Sequence, residues 1–201
     1  MTVLYLIRHA RSTWNAQGRW QGQADPPLDE VGQQQAAALA AHLRAETFAA
    51  VYSSPLARAR QTAEPLARSQ GLDLRLDDRL KERHVGEWSG LTEAQVRERY
   101  PEHYHPGWWI AGPPGGEAQA ALTERSQAAF QAILAAHPDE TVAVVSHGGT
   151  LNAYLAVQLG IPPGRTVTFR FANASFARLS VKGDRVYVVS LGETAPVDGA
   201  A

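Results

Sequence analysis

Cysteine is absent from this chain of 201 residues. Without it the chain has no disulfide framework, no thiolate nucleophile and no cysteine metal site, which excludes the chemistry of cysteine-dependent phosphatases. Long hydrophobic runs are lacking too. The apolar run 3–7 stops at Arg8, which is too short for a signal-peptide core, and no segment is long and apolar enough to cross a bilayer. We therefore expect a cytoplasmic protein without a membrane partner.

The chain also lacks an excess of positive or negative charge. The 19 Lys and Arg residues nearly balance the 20 Asp and Glu residues, and the formal net charge is -1. Such a chain has no general attraction for nucleic acid, so any anion site must be local. A hydrophobic fraction of 44% suits one domain with a sizeable core. The sequence leaves the oligomeric state open, and a homodimer is one expectation.

Two histidines stand at the ends of apolar runs. The run 3–7 predicts a buried strand in the centre of a sheet and is followed by Arg8 and His9, while the run 141–145 predicts a second strand and precedes His147. Ligands of open α/β sheets bind in the crevice beyond the carboxyl ends of the strands. We therefore predict that the two imidazoles meet in one active site, which points to an enzyme.

Hydrophobic periodicity predicts that helices and strands alternate along most of the chain. The predicted strands are 3–7, 48–53, 72–76 and 141–145, followed by a terminal hairpin of 174–181 and 185–190. The predicted helices are 33–44, with Asp29 as its cap, 56–69, 117–136 and 150–159. This order indicates an α/β fold with a mostly parallel, mixed sheet. We expect one domain over 1–191 and a flexible tail over 192–201.

Residues 88–116 depart from this alternation, and we call them the excursion. They combine basic residues with His103, His105, Trp108 and Trp109, a composition typical of an ordered loop over the end of a sheet. We interpret the excursion as a partial lid whose aromatic and basic residues select the substrate. The alternative is that the two tryptophans only pin the loop to the core. Two histidines on one loop are a poor basis for a metal site.

Four short blocks stand out in order along the chain. They are Arg8-His9-Ala10-Arg11-Ser12-Thr13-Trp14-Asn15, Ser54-Pro55-Leu56-Ala57-Arg58-Ala59 with Thr62, Leu80-Lys81-Glu82 with Gly86-Glu87-Trp88, and Ser146-His147-Gly148-Gly149. Together with Gln21-Gly22 and Pro27-Leu28, they resemble the histidine phosphatase superfamily, which includes the cofactor-dependent phosphoglycerate mutases. The resemblance extends from the first predicted strand to the last predicted helix. It implies a three-layer α/β/α sandwich.

The resemblance also implies roles for the polar residues of these blocks. His9 is the implied nucleophile and Glu82 the implied general acid. The implied phosphate ligands are Arg8, Asn15, Arg58 and His147. Gly148 stands where a backbone can approach a phosphate at the start of a helix. Weaker candidates for contacts with the rest of the substrate are Arg11, Gln21, Gly22 and Trp108.

The chemistry of phosphoryl transfer accounts for these residue types. A neutral imidazole is a good nucleophile toward phosphorus and later a good leaving group, so a phosphohistidine divides one difficult displacement into two steps. Two guanidiniums and a second histidine can balance the charge of the phosphoryl oxygens, so we expect no metal ion and no other cofactor. A carboxylic acid must protonate the alcohol that leaves. Glu82 fits this role, and Glu87 is the alternative.

Two positions depart from the family pattern. Ala10 stands where glycine is usual, and Arg11 replaces the usual acid or amide, which adds a positive charge that could contact a second anionic group. The sequence favours a phosphomonoester hydrolase that acts on a small phosphorylated metabolite. One alternative is a mutase, which we favour less because the segment after the acid is short and holds few arginines, Arg97 and Arg99. The other is a phospho-ligand binding module without turnover.

Overall fold

The computed structural model describes residues 1–162 and 169–196. Its strands are β1 (Thr2–Arg8), β2 (Ala50–Ser53), β3 (Leu74–Leu76), β4 (Thr141–Ser146), β5 (Ser175–Lys182) and β6 (Arg185–Thr194). They form one sheet in the order β3-β2-β4-β1-β5-β6. The first four strands along the chain run parallel to one another, whereas β5 and β6 form an antiparallel hairpin. The prediction of a mixed, mostly parallel sheet with the first strand inside it is confirmed.

The helices are α1 (Thr13–Ala16), α2 (Glu30–His42), α3 (Ala57–Ser69), α4 (Glu93–Arg99), α5 (Trp108–Ala111), α6 (Gln119–Ala136) and α7 (Gly148–Gln158). Short 3₁₀ turns cover Leu43–Ala45, Asp78–Leu80 and Gly86–Trp88. The four long predicted helices correspond to α2, α3, α6 and α7. Asp29 caps α2 as predicted, because its Oδ1 accepts the N–H of Gly32 at 2.7 Å. The two short helices of the excursion, α4 and α5, were not predicted.

The core lies on both faces of the sheet. Successive side chains of a strand point to opposite faces, so the apolar run of β1 supplies both layers. Leu4 and Leu6 pack with α6 and α7, while Tyr5 and Ile7 pack with α2 and α3. All four of these side chains are at most 2% exposed. Helices therefore cover both faces, as in the expected three-layer sandwich, and the strand ends remain free to carry a site.

The hairpin at the edge of the sheet is longer than predicted. Strand β6 continues to Thr194, which lies opposite Ser175 of β5. Residues 192–194 of the expected tail therefore belong to β6, in which Glu193 and Thr194 pair with Phe176 and Ser175. Residues 197–201 of the expected tail lie outside the described residues. None of the helices within the described ranges is both long and apolar enough to span a membrane.

Candidate active site

The ends of β1 and β4 bring the two predicted histidines together. The strands are adjacent and parallel, with Arg8 opposite Ser146, so His9 and His147 leave the sheet at the same edge. The N–H of His9 donates to the Ser146 carbonyl at 2.9 Å, and the two imidazole centroids lie 5.1 Å apart. Both side chains are almost inaccessible to solvent, with exposures of 3% for His9 and 0% for His147. The predicted meeting of the two rings is confirmed.

One backbone contact fixes the protonation of His9. Its Nδ1 lies 2.7 Å from the carbonyl oxygen of Ala10, which can only accept, so Nδ1 must donate and carries the proton. The lone pair of the neutral ring is therefore on Nε2. Burial lowers the pKa of His9 well below its usual value, and the positive charges of Arg58 and Arg8 lower it further. His9 is thus a neutral imidazole with an available nitrogen.

A serine hydroxyl orients His147. Among the described residues the hydrogen of the Ser54 hydroxyl has no acceptor other than His147 Nε2 at 2.8 Å, so Ser54 donates to this nitrogen. This arrangement puts the imidazole proton on Nδ1, a buried atom with no hydrogen-bond partner among the described residues. The pKa of His147 lies well below its usual value because of burial and then because of Arg58. Sequence reasoning placed Ser54 in a motif without giving it this positioning role.

Two arginines present further unpartnered donors beside these rings. Arg58 is fully buried and donates through its terminal nitrogens to the carbonyls of Ala24 at 2.8 Å and Gly22 at 2.7 Å. Arg8 donates to the Phe171 carbonyl. The Nε atoms of both arginines are buried and have no partner among the described residues. We call Arg8, His9, Arg58 and His147 the floor.

Electrostatics make the floor a place for an anion. Burial lowers the pKa of Arg8, and it lowers that of Arg58 to about 10. An arginine guanidinium keeps its charge at neutral pH. Within the described ranges neither Arg8 nor Arg58 forms a salt bridge. A buried donor without a partner is unfavourable by about 1–3 kcal/mol, more for a charged group. Arg8, Arg58 and His147 each supply one such donor, and a tetrahedral oxyanion can accept hydrogen bonds from several donors at once.

Glu82 lies beside the floor, and the turn before α7 holds its carboxylate. Oε2 accepts the N–H of Gly149 at 3.1 Å, and Oε1 accepts the N–H of Arg83 at 2.8 Å. A Cβ at position 149 would overlap Oε1, so only glycine allows this close approach. A Cβ added at Gly148, the neighbouring candidate, would lie 3.9 Å from Arg8 Nε. The carboxylate of the predicted acid is therefore held at the start of α7, next to the floor.

An arginine that sequence reasoning missed holds the backbone of this segment. Arg125 of α6 donates to the carbonyls of Arg79 at 2.8 Å, Lys81 at 2.6 Å and Glu82 at 3.0 Å. Its Nε pairs with Glu117 at 2.7 Å, and both side chains of that pair are at most 20% exposed. On sequence alone, Arg125 is one charge in a helix with an exposed polar face. Its role in holding this backbone follows only from the folded structure, in which three carbonyls accept hydrogen bonds from its guanidinium.

The alternative acid, Glu87, lies elsewhere. It belongs to the turn Gly86–Trp88, and its backbone N–H donates to the Pro114 carbonyl at 3.0 Å. A side-chain hydrogen bond with Glu87 is the main reason that the pKa of Tyr100 is raised. Glu87 does not line the cavity above the floor, whereas Glu82 does. The structure brings only Glu82 together with the histidines.

A cavity of about 410 Å³ opens above the floor. Among its lining residues are the predicted candidates Asn15, Gln21, Gly22 and Trp108. The Oδ1 of Asn15 accepts the N–H of Ser12 at 3.1 Å, so the amide is held by its oxygen, and its nitrogen has no partner among the described residues. The Ser12 hydroxyl donates to Gln21 Oε1 at 2.7 Å. These two amides form the side of the cavity next to α1.

Arg11 is a predicted substrate contact that the structure places apart from the site. It does not line the cavity. Its Nε donates to the Asp29 carboxylate at 2.7 Å, and its backbone N–H donates to Gln35 Oε1 at 2.9 Å. The structure gives no support to the expectation that Arg11 contacts the substrate, because Arg11 pairs with the N-cap carboxylate of α2 instead. Arg11 instead joins the loop after β1 to α2.

Trp108 of the excursion packs against other tryptophans and also lines the cavity. Trp108 packs against Trp20 at 5.3 Å and Trp88 at 4.9 Å between ring centroids, and Trp88 is fully buried. Trp108 also lines the cavity, so it both anchors the segment and faces the ligand space. The carbonyl of Trp109 accepts a hydrogen bond from Arg83. In the part of the chain that the structure describes, no three His, Asp or Glu side chains are grouped to hold a metal ion.

Comparison with known proteins gives a consistent match. The model of the histidine phosphatase superfamily, branch 1, matches residues 4–194. Phosphoserine phosphatase 1 of Hydrogenobacter thermophilus is 35% identical over 199 residues, which cover 96% of this chain and 93% of the relative. The metal-independent phosphoserine phosphatase of Arabidopsis thaliana is 40% identical over 173 residues, covering 82% of this chain and 72% of that protein.

A solved structure agrees with these relatives. The mycobacterial glucosyl-3-phosphoglycerate phosphatase in complex with VO3 is 32% identical and superposes with a TM-score of 0.85. The match covers 96% of this chain and 99% of that one. The similarity therefore extends over nearly the whole fold.

Proposed function

The chain belongs to the histidine phosphatase superfamily, branch 1, and on this premise we propose that it hydrolyses phosphomonoesters of small metabolites through a phosphohistidine at His9. The observation that carries the proposal is the set of unpartnered donors around the floor: Arg8 Nε, Arg58 Nε and His147 Nδ1. They belong to residues close to His9, whose Nε2 has no hydrogen-bond partner among the described residues. This is the arrangement that a phosphoryl group needs for attack by nitrogen.

In the first step His9 Nε2 attacks phosphorus, and the bond between phosphorus and the alcohol oxygen breaks. The departing oxygen takes the proton of the Glu82 carboxylic acid, so the alcohol leaves neutral. Arg8, Arg58 and His147 hold the equatorial oxygens and balance their charge as the bonds change. Because these donors are fixed by the fold before substrate binds, little reorganisation accompanies the transition state.

In the second step water attacks the phosphohistidine. The Glu82 carboxylate accepts a proton from the water, the bond between phosphorus and Nε2 breaks, and neutral His9 returns. The donation from Nδ1 to the Ala10 carbonyl keeps the ring in the same tautomer throughout. Phosphate is then the second product. No step requires a metal ion, because the guanidiniums and His147 supply the positive and donor groups.

Water is favoured over a sugar acid as the phosphoryl acceptor. Neither Arg97 nor Arg99 lines the cavity. Arg97 instead pairs with Glu93 at 2.6 Å on the surface of α4, where both side chains are more than half exposed. The excursion thus offers the cavity few cations of its own, which supports hydrolysis rather than transfer between phosphoglycerates.

The test is a substrate panel with free phosphate as the readout and a phosphoglycerate mutase assay alongside. The panel includes p-nitrophenyl phosphate, phosphoserine, glucosyl-3-phosphoglycerate and α-ribazole phosphate. We expect phosphate release that is unaffected by EDTA and inhibited by vanadate, which adopts a five-coordinate geometry like that of the transition state. Activity lost in EDTA and restored by a divalent ion would contradict the proposal. Isomerisation of phosphoglycerate without phosphate release would indicate a mutase, and binding without turnover would indicate a binding module.

A further inference from the structure

A second cavity of about 400 Å³ adjoins the one above the floor. The two cavities share Arg8, Arg83, Trp108 and Gly149. The remaining wall of the second cavity comes from α7, from the end of the excursion and from the segment before β5. The polar residues that it adds are Gln119, Asn152 and Arg170. It is therefore continuous with the site already described but has a lining of its own.

The charged side chains in the described lining of the second cavity are all positive. Three arginines contribute to it, Arg8, Arg83 and Arg170, and its described lining includes no Asp or Glu. The first cavity, in contrast, is also lined by Glu82 and Glu93. Arg83 is only 7% exposed, and its guanidinium is held by the Trp109 carbonyl and the Gln119 amide oxygen. A cavity lined by arginines and by no carboxylate of its own favours an anion.

The proposed acid lies where the two cavities meet. Both hydrogen-bond partners of the Glu82 carboxylate, the N–H groups of Arg83 and Gly149, belong to residues shared by the two cavities. An alcohol oxygen that receives a proton from Glu82 is therefore next to this junction. A substituent on that alcohol has a direct path into the second cavity.

We propose that the second cavity binds a second anionic group, a carboxylate or a phosphate, on the leaving alcohol of the substrate, with Arg170 and Arg83 as its cations. This inference rests on the proposed function, because it needs the phosphoryl group to lie on the floor and the alcohol to lie at Glu82. The proposal assigns to Arg83 and Arg170 the contact with a second anionic group that the sequence predicted for Arg11. Arg11 lies outside both cavities and pairs with Asp29.

Matched substrates test the proposal. 3-Phosphoglycerate and glycerol 3-phosphate have similar leaving alcohols and differ by one carboxylate, and fructose 1,6-bisphosphate and fructose 6-phosphate differ by one phosphate. We expect wild-type kcat/KM to favour the member that carries the additional carboxylate or phosphate in at least one pair, and the responding pair identifies the group. Arg170→Gln should lower that preference about 10- to 100-fold, mainly through KM, as for loss of a hydrogen bond to a charged group. Arg170→Lys should retain part of it.

The matched control is Arg11→Gln, which removes the same side chain outside both cavities and should leave the preference unchanged. An equal preference in wild type and Arg170→Gln would overturn the inference, as would loss of the preference in Arg11→Gln alone. The substrate panel distinguishes failure of the proposed function from failure of this inference. If the wild type releases phosphate from no member of the panel, the proposed function fails. If it releases phosphate and Arg170→Gln changes no preference, only the second cavity is wrongly assigned.

Discussion

The floor and the excursion place their charged groups in opposite environments. Arg58 and His147 of the floor are fully buried, and each keeps a donor that no described residue satisfies. The charged pair of the excursion, Arg97 with Glu93, lies on the surface with both side chains more than half exposed. A buried and fixed donor acts strongly on a reacting group, whereas an exposed charge is screened by water. We therefore expect the floor to set the rate of phosphoryl transfer and the excursion to influence which alcohol is accepted.

The largest difference between the floor and the excursion is expected from a change at Glu82, which lies beside the floor. Glu82→Gln keeps the shape of the side chain but removes its proton. The step that forms the phosphoenzyme should slow by roughly 10² to 10⁴ for alkyl phosphates. For p-nitrophenyl phosphate the loss should be much smaller, because p-nitrophenol leaves readily as its anion. Single-turnover rates are the appropriate measurement, because the steady state can report dephosphorylation.

Glu87→Gln is the matched control for this prediction. Glu87 lies in the turn at the start of the excursion and does not line the cavity. Its variant should show no dependence on the leaving group. Equal slowing of both substrates by Glu82→Gln would instead mean that Glu82 positions the phosphate or supports the fold.

A smaller effect is expected at the two ion pairs. Arg125→Met removes the donors that hold the carbonyls of the Glu82 segment, and a displaced acid can slow the reaction by up to about 10². The slowing should be greater for alkyl phosphates than for p-nitrophenyl phosphate. Breaking the partly buried pair with Glu117 should also lower the free energy of unfolding by about 3 kcal/mol. Denaturant titration and single-turnover kinetics measure the two effects.

Arg97→Met provides the comparison in the excursion. Because the pair with Glu93 is exposed, neither stability nor the dependence on the leaving group should change detectably. If Arg125→Met lowers stability but slows both substrates equally, Arg125 supports only the fold and does not position Glu82.

The next effect is expected at Trp108, the part of the excursion that lines the cavity. Trp108→Leu removes apolar contact with the alcohol, so kcat/KM should fall about 10-fold for bulky alcohols and less for small ones. Trp88→Leu is the control, since Trp88 is fully buried and does not line the cavity. It should lower stability without changing the order of substrates. The same order of substrates in Trp108→Leu and wild type would show that Trp108 only anchors the loop.

The smallest effect is expected from pH. Burial holds the pKa of His9 and His147 well below the usual value of 6.5, so both rings should stay neutral when the pH falls from 7 to 6. NMR titration of the ring protons should show almost no change for these two residues. A midpoint near 6.5 for either ring would contradict the account of the floor.

The same shifts have a consequence for stability. In the unfolded chain these histidines bind protons as the pH falls through about 6.5, whereas in the folded protein they do not. Their contribution to the free energy of unfolding is thus fully present above pH 6.5 and declines below it. The slope is up to about 1.4 kcal/mol per pH unit for each ring. Denaturant titrations at pH 7 and pH 5.5 measure it.

Sequence reasoning predicted the parts of the molecule that follow from local pattern. The run of β1 is apolar on both faces, so its central position could be predicted, and with it the meeting of His9 and His147 at one edge. Asp29 could be identified as a cap because capping depends on residues only three positions apart. These features are local or follow from the rules of parallel sheets.

Long-range pairing could not be predicted in the same way. Arg11 looks like a free cation in sequence, but Asp29 binds it from 18 positions away. The role of Arg125 depends on carbonyls more than 40 positions earlier, which have no sequence signal because every residue has one. The second cavity combines α7 with the excursion and the segment before β5. Its lining exists only in the folded chain.

Trapping the phosphoenzyme tests the central claim most directly. Enzyme mixed with ³²P-labelled substrate and quenched in base within one turnover should carry up to one phosphate per chain. The label should be stable in base and labile in acid, as a phosphohistidine is, and should map to the peptide that contains His9. His9→Ala should carry no label and show no turnover while retaining its fold by circular dichroism. An acid-stable label, a label on another residue, or undiminished turnover in His9→Ala would contradict the account.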